Sequence, residues 1–184
     1  RSEFLSWGIA SSNLDNQDLV IENINPDNPE EYLDAGRYKE FNKRNVLIEI
    51  KGEPGLTYTV KSSSRGPIIP PEAFGIKAIT APNNAVALKW TGLEPKDRSI
   101  ESFILTMKAM NIVTAKEAFR HLVVPSYNVL LSGPKDVIMV SAGKIPNRIK
   151  KSGDDFGVLP SLGWKNPMEW AGYLDFEENP NISN

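Results

Sequence analysis

The hydrophobic period of this chain changes twice, and that constrains its fold more than any other feature. Up to residue 90, β-branched and apolar residues gather in short runs bounded by turn residues. Val46-Leu47-Ile48-Glu49-Ile50-Lys51 and Thr57-Tyr58-Thr59-Val60-Lys61 are two such runs, with Gly52-Glu53-Pro54-Gly55 between them. They predict a β-hairpin whose loop is longer than the tightest turns. Asp18-Leu19-Val20-Ile21-Glu22 predicts a strand that ends at Asn25-Pro26-Asp27-Asn28-Pro29, a stretch dense in turn residues. Ala85-Val86-Ala87-Leu88-Lys89-Trp90 predicts another. The spacing then becomes helical. Ile100, Phe103, Ile104 and Met107 fall at i, i+3, i+4 and i+7, one face of a helix with Ser99 as its N-cap. Thr114-Ala115-Lys116-Glu117 has the capping-box spacing and opens a second helix, limited by Pro125. His121 falls near the end of that helix and reads as a helix-face or core residue. Tyr127-Asn128-Val129-Leu130-Leu131 and Asp136-Val137-Ile138-Met139-Val140 then flank Ser132-Gly133-Pro134-Lys135, a second hairpin. Strands, two adjacent helices and strands again define an α+β class with mostly antiparallel strands, not a βαβ alternation.

Composition narrows the chemistry. The 184 residues suit one domain or one piece of a larger one, and the stretch 1–184 reads as a single piece. They contain no cysteine, which excludes disulfides, Cys-zinc sites and thiol catalysis within them. The lone histidine, His121, excludes a His-rich metal site. Net charge is -2 with no basic stripe, which argues against nucleic acid as a partner. Arg148-Ile149-Lys150-Lys151 is short and reads as a solvated loop. No apolar run is long enough to span a bilayer. Arg1-Ser2-Glu3-Phe4 carries no signal-peptide pattern. There is no Gly-rich nucleotide fingerprint, no G-x-S-x-G elbow, and no serine with an identifiable base partner.

Two clusters remain chemically ambiguous on their own. Asp15-Asn16-Gln17-Asp18 places two carboxylates just before a strand. A bend presenting Asp15, the Gln17 carbonyl and Asp18 suits Ca²⁺, a hard cation that takes oxygen ligands. A solvated acidic turn has the same sequence. Asn128 opens an apolar strand, where a polar amide must find partners. It fits a structural bridge, or a donor aimed at a developing oxyanion.

Taken in order, these segments resemble the β-chain of the penicillin acylase family. Glu3-Phe4-Leu5-Ser6-Trp7-Gly8 with Asp15-Asn16-Gln17-Asp18-Leu19-Val20-Ile21-Glu22 is similar to the family's segment after its oxyanion-forming strand. Asn25 to Pro29 with Tyr32-Leu33 is similar to its next turn. Ser64-Arg65-Gly66-Pro67-Ile68-Ile69 resembles a His-Gly-Pro segment with Arg in place of His. Leu88-Lys89-Trp90-Thr91-Gly92-Leu93-Glu94-Pro95, Pro125 to Asn128, Ala142 to Arg148 and Leu159-Pro160 through Tyr173 extend the likeness over essentially the whole chain.

The resemblance implies part of an N-terminal-nucleophile hydrolase of αββα architecture. In that family a serine freed at the β-chain N-terminus attacks an amide, with its own α-amine as base. By position, Asn128 would supply a side-chain oxyanion donor and Ser11 a backbone N–H. Arg148 would order the nucleophile's surroundings. The family's structural Ca²⁺ site maps onto Asp15, Gln17 and Asp18, with the Pro95 carbonyl and Asp136 as further ligands. Ala10-Ser11 stands where Thr-Asn is usual, a change that keeps the backbone donor. Asn13-Leu14 and Asp136-Val137-Ile138-Met139 also depart from the pattern and leave substrate choice open among penicillins, cephalosporin side chains and acyl-homoserine lactones. The nucleophile and its Asn-Asp-Pro-His segment belong upstream of the stretch matching Glu3 to Gly8. Ser2 falls by the resemblance inside a strand and is not assigned that role. The expectation is therefore an amidohydrolase fragment, inactive alone, whose partners are an N-acyl amide substrate and the remaining segments of the same acylase. Its periplasmic or secreted location would follow the parent. The alternative is a non-enzymatic, strand-rich binding module that shares short motifs.

Overall fold

The computed structural model describes residues 3–78, 80–149, 157–165 and 167–183. The described strands are β1 (Ser6–Ser11), β2 (Gln17–Asn23), β3 (Glu31–Asp34), β4 (Arg37–Glu40), β5 (Asn42–Ile48), β6 (Leu56–Ser63), β7 (Gly66–Ile69), β8 (Asn84–Trp90), β9 (Tyr127–Ser132), β10 (Val137–Ala142), β11 (Pro146–Arg148), β12 (Ser161–Leu162), β13 (Trp170–Tyr173) and β14 (Asn181–Ser183). Two helices, α1 (Ser99–Lys108) and α2 (Ile112–Ala118), lie between β8 and β9. The chain divides into two compact units, one of residues 1–16, 90–148 and 170–184, the other of 17–89 and 149–169.

The first unit is built on a four-stranded antiparallel sheet in the order β1-β9-β10-β14. Strand alternation sends Tyr127, Val129 and Leu131 to one face, where they join Phe119, Leu122, Ala115 and Ala142 in the core. The opposite face carries Ala10, Asn128 and Ser141, which lie side by side across β1, β9 and β10. β11 and β13 form a separate two-stranded sheet in which Arg148 lies opposite Trp170.

Both helices form where the period changes, but their caps differ from the sequence reading. Ser99 is not the N-cap of α1, which is Arg98. Ser99 is already helical; its hydroxyl donates to Asp97 and accepts from the Val123 and Val124 amides at 2.9 and 3.2 Å. α2 is capped by Asn111, whose Oδ1 accepts from the Thr114 N–H at 2.9 Å. Asn caps as well as Thr, and the earlier start brings Ile112 against the core. Glu117 pairs with Arg120 instead of closing a box. His121 ends a 3-10 turn, Phe119–His121, and is half-buried. The face of α1 that is buried carries Ser99, Ser102 and Thr106. Ile100, Ile104 and Met107 are exposed. The two amide bonds to Ser99 fix the helix rotation, and small inward side chains allow close approach. Thr106 answers its own burial by donating to the Ser102 carbonyl at 2.8 Å.

The second unit holds a six-stranded sheet, β12-β2-β8-β7-β6-β5, and the small β3-β4 pair. The β5-β6 hairpin is antiparallel, and β12 joins β2 in parallel. β2 turns Asp18, Val20 and Glu22 inward, so two carboxylates are buried on the core side. Arg65 answers one of them. Its Nη1 donates to both Glu22 oxygens at 3.1 and 2.9 Å, and its Nη2 to Asp34. Tyr32 stacks on Phe41 at 4.8 Å between ring centroids, and its hydroxyl accepts from the Ser64 amide. Gly66 follows Arg65 at φ +145°, and a Cβ there would stand 2.0 Å from the Leu88 carbonyl oxygen. Only glycine permits that approach of β7 to β8.

Candidate active-site residues

Asn128, Ser11 and Arg148 all belong to the first unit. Asn128 lies on β9, directly opposite Ala10 of β1 and Ser141 of β10. Its carboxamide is oriented by one bond: the Ser141 hydroxyl donates to Asn128 Oδ1 at 2.6 Å. That bond occupies the acceptor and leaves the NH₂ group directed away from Ser141. Ser141 is itself fixed, since its N–H donates to the Pro180 carbonyl and its carbonyl accepts from buried Asn179. Ala10, exposed on β1, contributes only a methyl group beside Asn128.

The backbone geometry of Ser11 follows from the ladder. Ser12 N–H donates to the Ser126 carbonyl, continuing the register in which Ser11 lies opposite Tyr127. In an antiparallel pair, alternate residues point their N–H and C=O groups toward the partner strand and away from it. Ser12 points toward β9, so Ser11 points away, to the open edge of the sheet that β1 forms. The Ser11 side chain takes no part; its hydroxyl donates to Asn13 Oδ1 at 3.1 Å. A side-chain amide and an edge N–H therefore come from neighbouring positions of two paired strands.

Arg148 ends β11, and its guanidinium is nearly buried. Its Nη2 donates to Asp15 Oδ1 at 3.0 Å. The arginine expected beside the nucleophile thus holds the first of the expected metal ligands. Asp15 belongs to the first unit, and Gln17 and Asp18 to the second, where Asp18 is buried. Pro95 follows the 3-10 turn Thr91–Leu93, and Asp136 lies in the β9-β10 turn. No group of three acidic or histidine side chains close enough to hold a metal occurs among the described residues. Carboxylate and carbonyl oxygens, which these residues carry, are the donor types a hard cation takes. Ser2, Lys150 and Lys151 lie outside the described residues.

Reading the sequence missed the support of this region. Ser141 was reachable only through the hairpin register. A network at Glu94 was not signalled at all. Glu94 accepts from the Tyr173 hydroxyl at 2.5 Å and from Lys144 at 3.0 Å, which anchors the segment that carries Pro95. The Tyr173 bond, followed by Lys144, holds the Glu94 carboxyl below its ordinary range. Burial, reinforced by Glu94, pushes the Tyr173 phenol up to about 12.

This strand-rich unit carries two helices on one sheet face and polar side chains on the other. The profile of one family, penicillin amidase, matches residues 1–184, and the chain belongs to that family. It is 28% identical over 173 residues to an acyl-homoserine lactone acylase, QuiP, of Pseudomonas fluorescens, covering 93% of this chain and 20% of that protein. It is 28% identical over 183 residues to penicillin G acylase of Escherichia coli, covering 98% and 20%. Thermostable penicillin G acylase from Alcaligenes faecalis superposes with a TM-score of 0.83 at 20% identity, over 100% of this chain and 31% of the other. The chain thus spans about 20% of the length of the curated relatives it matches. The family match covers the whole chain, so the likeness is not confined to short motifs.

Proposed function

We propose that this chain is part of an acylase that hydrolyses N-acyl amides, and that it supplies the oxyanion-stabilising side of the active centre. The Asn128 NH₂ and the Ser11 N–H would donate to the oxyanion of the tetrahedral intermediate, where preorganised donors act most strongly. The nucleophilic serine and its amine base would come from another part of the polypeptide. Arg148, through Asp15, would order the loop after β1. Asp15, Gln17, Asp18, Pro95 and Asp136 would hold a structural Ca²⁺ in the whole enzyme, and that ion would contribute rigidity rather than chemistry.

The observation that carries this reading is the Ser141–Asn128 bond. A merely structural asparagine would spend its NH₂ in the fold. Here only the carbonyl oxygen is used, and among the described residues the NH₂ meets no protein acceptor. In the full-length protein, Asn128→Ala should lower kcat toward chromogenic N-acyl anilides by roughly 10²–10³, as loss of one oxyanion donor does. Turnover within a factor of about three of wild type would exclude Asn128 from that role. The 184-residue chain by itself should not release phenylacetate from a phenylacetyl amide.

A further inference from the structure

α1 and α2 present apolar side chains that no described residue covers. Ile100 is 80% exposed, Ile104 42%, Met107 57%, Met110 65% and Val113 71%. Ile100, Ile104 and Met107 follow helical spacing, and Met110 and Val113 continue the ridge across the turn into α2. The rotation of α1 is not loose. Ser99 accepts from two backbone amides outside the helix, so the apolar face cannot roll inward without breaking those bonds. A contiguous exposed apolar patch of this kind marks an interaction surface. Arg98, Glu101 and Arg120 border it and are already paired with one another or with Glu117 and Glu177.

We infer that this ridge is an internal interface of the acylase, covered by an apolar segment of the same polypeptide outside these 184 residues. The length of the relatives supports that occupant over a second copy. This chain corresponds to 20% of each curated relative, and to 31% of the superposed acylase chain, so most of the polypeptide lies elsewhere. Two of the five ridge residues are methionines, whose flexible side chains adapt to an irregular counter-surface. The inference is independent of the oxyanion assignment.

The native methionines make the test direct. Met107 and Met110 in the folded full-length acylase should oxidise with peroxide at least about tenfold more slowly than in urea, approaching the protection of buried Met168. Oxidation of both at the denatured rate would overturn the inference. So would protection lost on dilution from dimer to monomer, because a second copy would then be the cover. A second variant guards against ambiguity. Met107→Glu should lower the melting temperature of the full-length protein, whereas an uncovered position would accept the charge with no shift.

Discussion

Replacing Ser141 by alanine in the full-length acylase separates the aiming of the Asn128 amide from the amide itself. The change deletes the hydroxyl that lies 2.6 Å from Asn128 Oδ1 and nothing else in the contact. The backbone bonds of Ser141 to Pro180 and Asn179 remain, so β10 should hold its place. A neutral hydrogen bond contributes about 0.5–1.5 kcal/mol, and each ~1.4 kcal/mol is tenfold in rate, which sets the loss at roughly 2- to 13-fold in kcat. KM should stay constant, because the oxyanion exists only in the transition state. The ceiling is Asn128→Ala, at roughly 10²–10³. Since the hydroxyl acts through the amide, the double variant should be no slower than Asn128→Ala alone. Steady-state release of the amine from an N-acyl anilide, with a thermal melt on each variant, measures all of this. Additive losses in the double variant, or a change confined to KM, would refute the aiming role.

Other consequences concern stability and metal. Arg65→Met leaves Glu22, fully buried, without its counter-charge, and should cost about 3–5 kcal/mol in urea unfolding. Tyr173→Phe removes the largest cause of the lowered Glu94 carboxyl, so wild type should be the more stable at neutral pH. A lowered carboxyl contributes stability above its ordinary value of 4.5 and loses it as pH falls through the folded value, so the gap should narrow below that pH. The phenol, raised from 10.0 to about 12, works in the opposite sense, and the gap should narrow again across that alkaline range in melts recorded against pH. Asp18→Ala in the full-length protein should remove bound calcium, measured by elemental analysis, and lower the melting temperature. Undiminished calcium would exclude Asp18 as a ligand.

Much of the fold was legible because strand and helix periods are local properties. The runs at 57–61, 85–90 and 127–131 lie within observed strands, while that at 46–51 is strand only as far as Ile48; the 3.6 spacing located α1, and the capping residues before Glu117 located α2. The β9-β10 hairpin was legible only to within its register. The sequence pattern, with a turn at 132–135, sets Leu131 against Asp136. In the structure Gly133 N–H bonds the Asp136 carbonyl, the turn runs from 133 to 136, and Leu131 pairs with Ile138. That shift of two keeps every side chain on its face but decides that Ser141, not Met139, meets Asn128.

By itself, then, the sequence determined the α+β class, the absence of thiol chemistry, the family likeness and the identity of Asn128 and Ser11 as candidate donors. The tertiary structure decided what each of them meets. Hydrophobic spacing sets Ile100, Phe103, Ile104 and Met107 on one face of α1, but with Ser99 held by two amides and Ser102 and Thr106 turned inward, only Phe103 of the four packs against the core. An amide in a strand has no local rule for its orientation, so only strand pairing could show that Ser141 takes the Asn128 oxygen. Local patterns record which residues can be buried or paired. Which partner each one meets depends on register and packing between segments far apart in the chain.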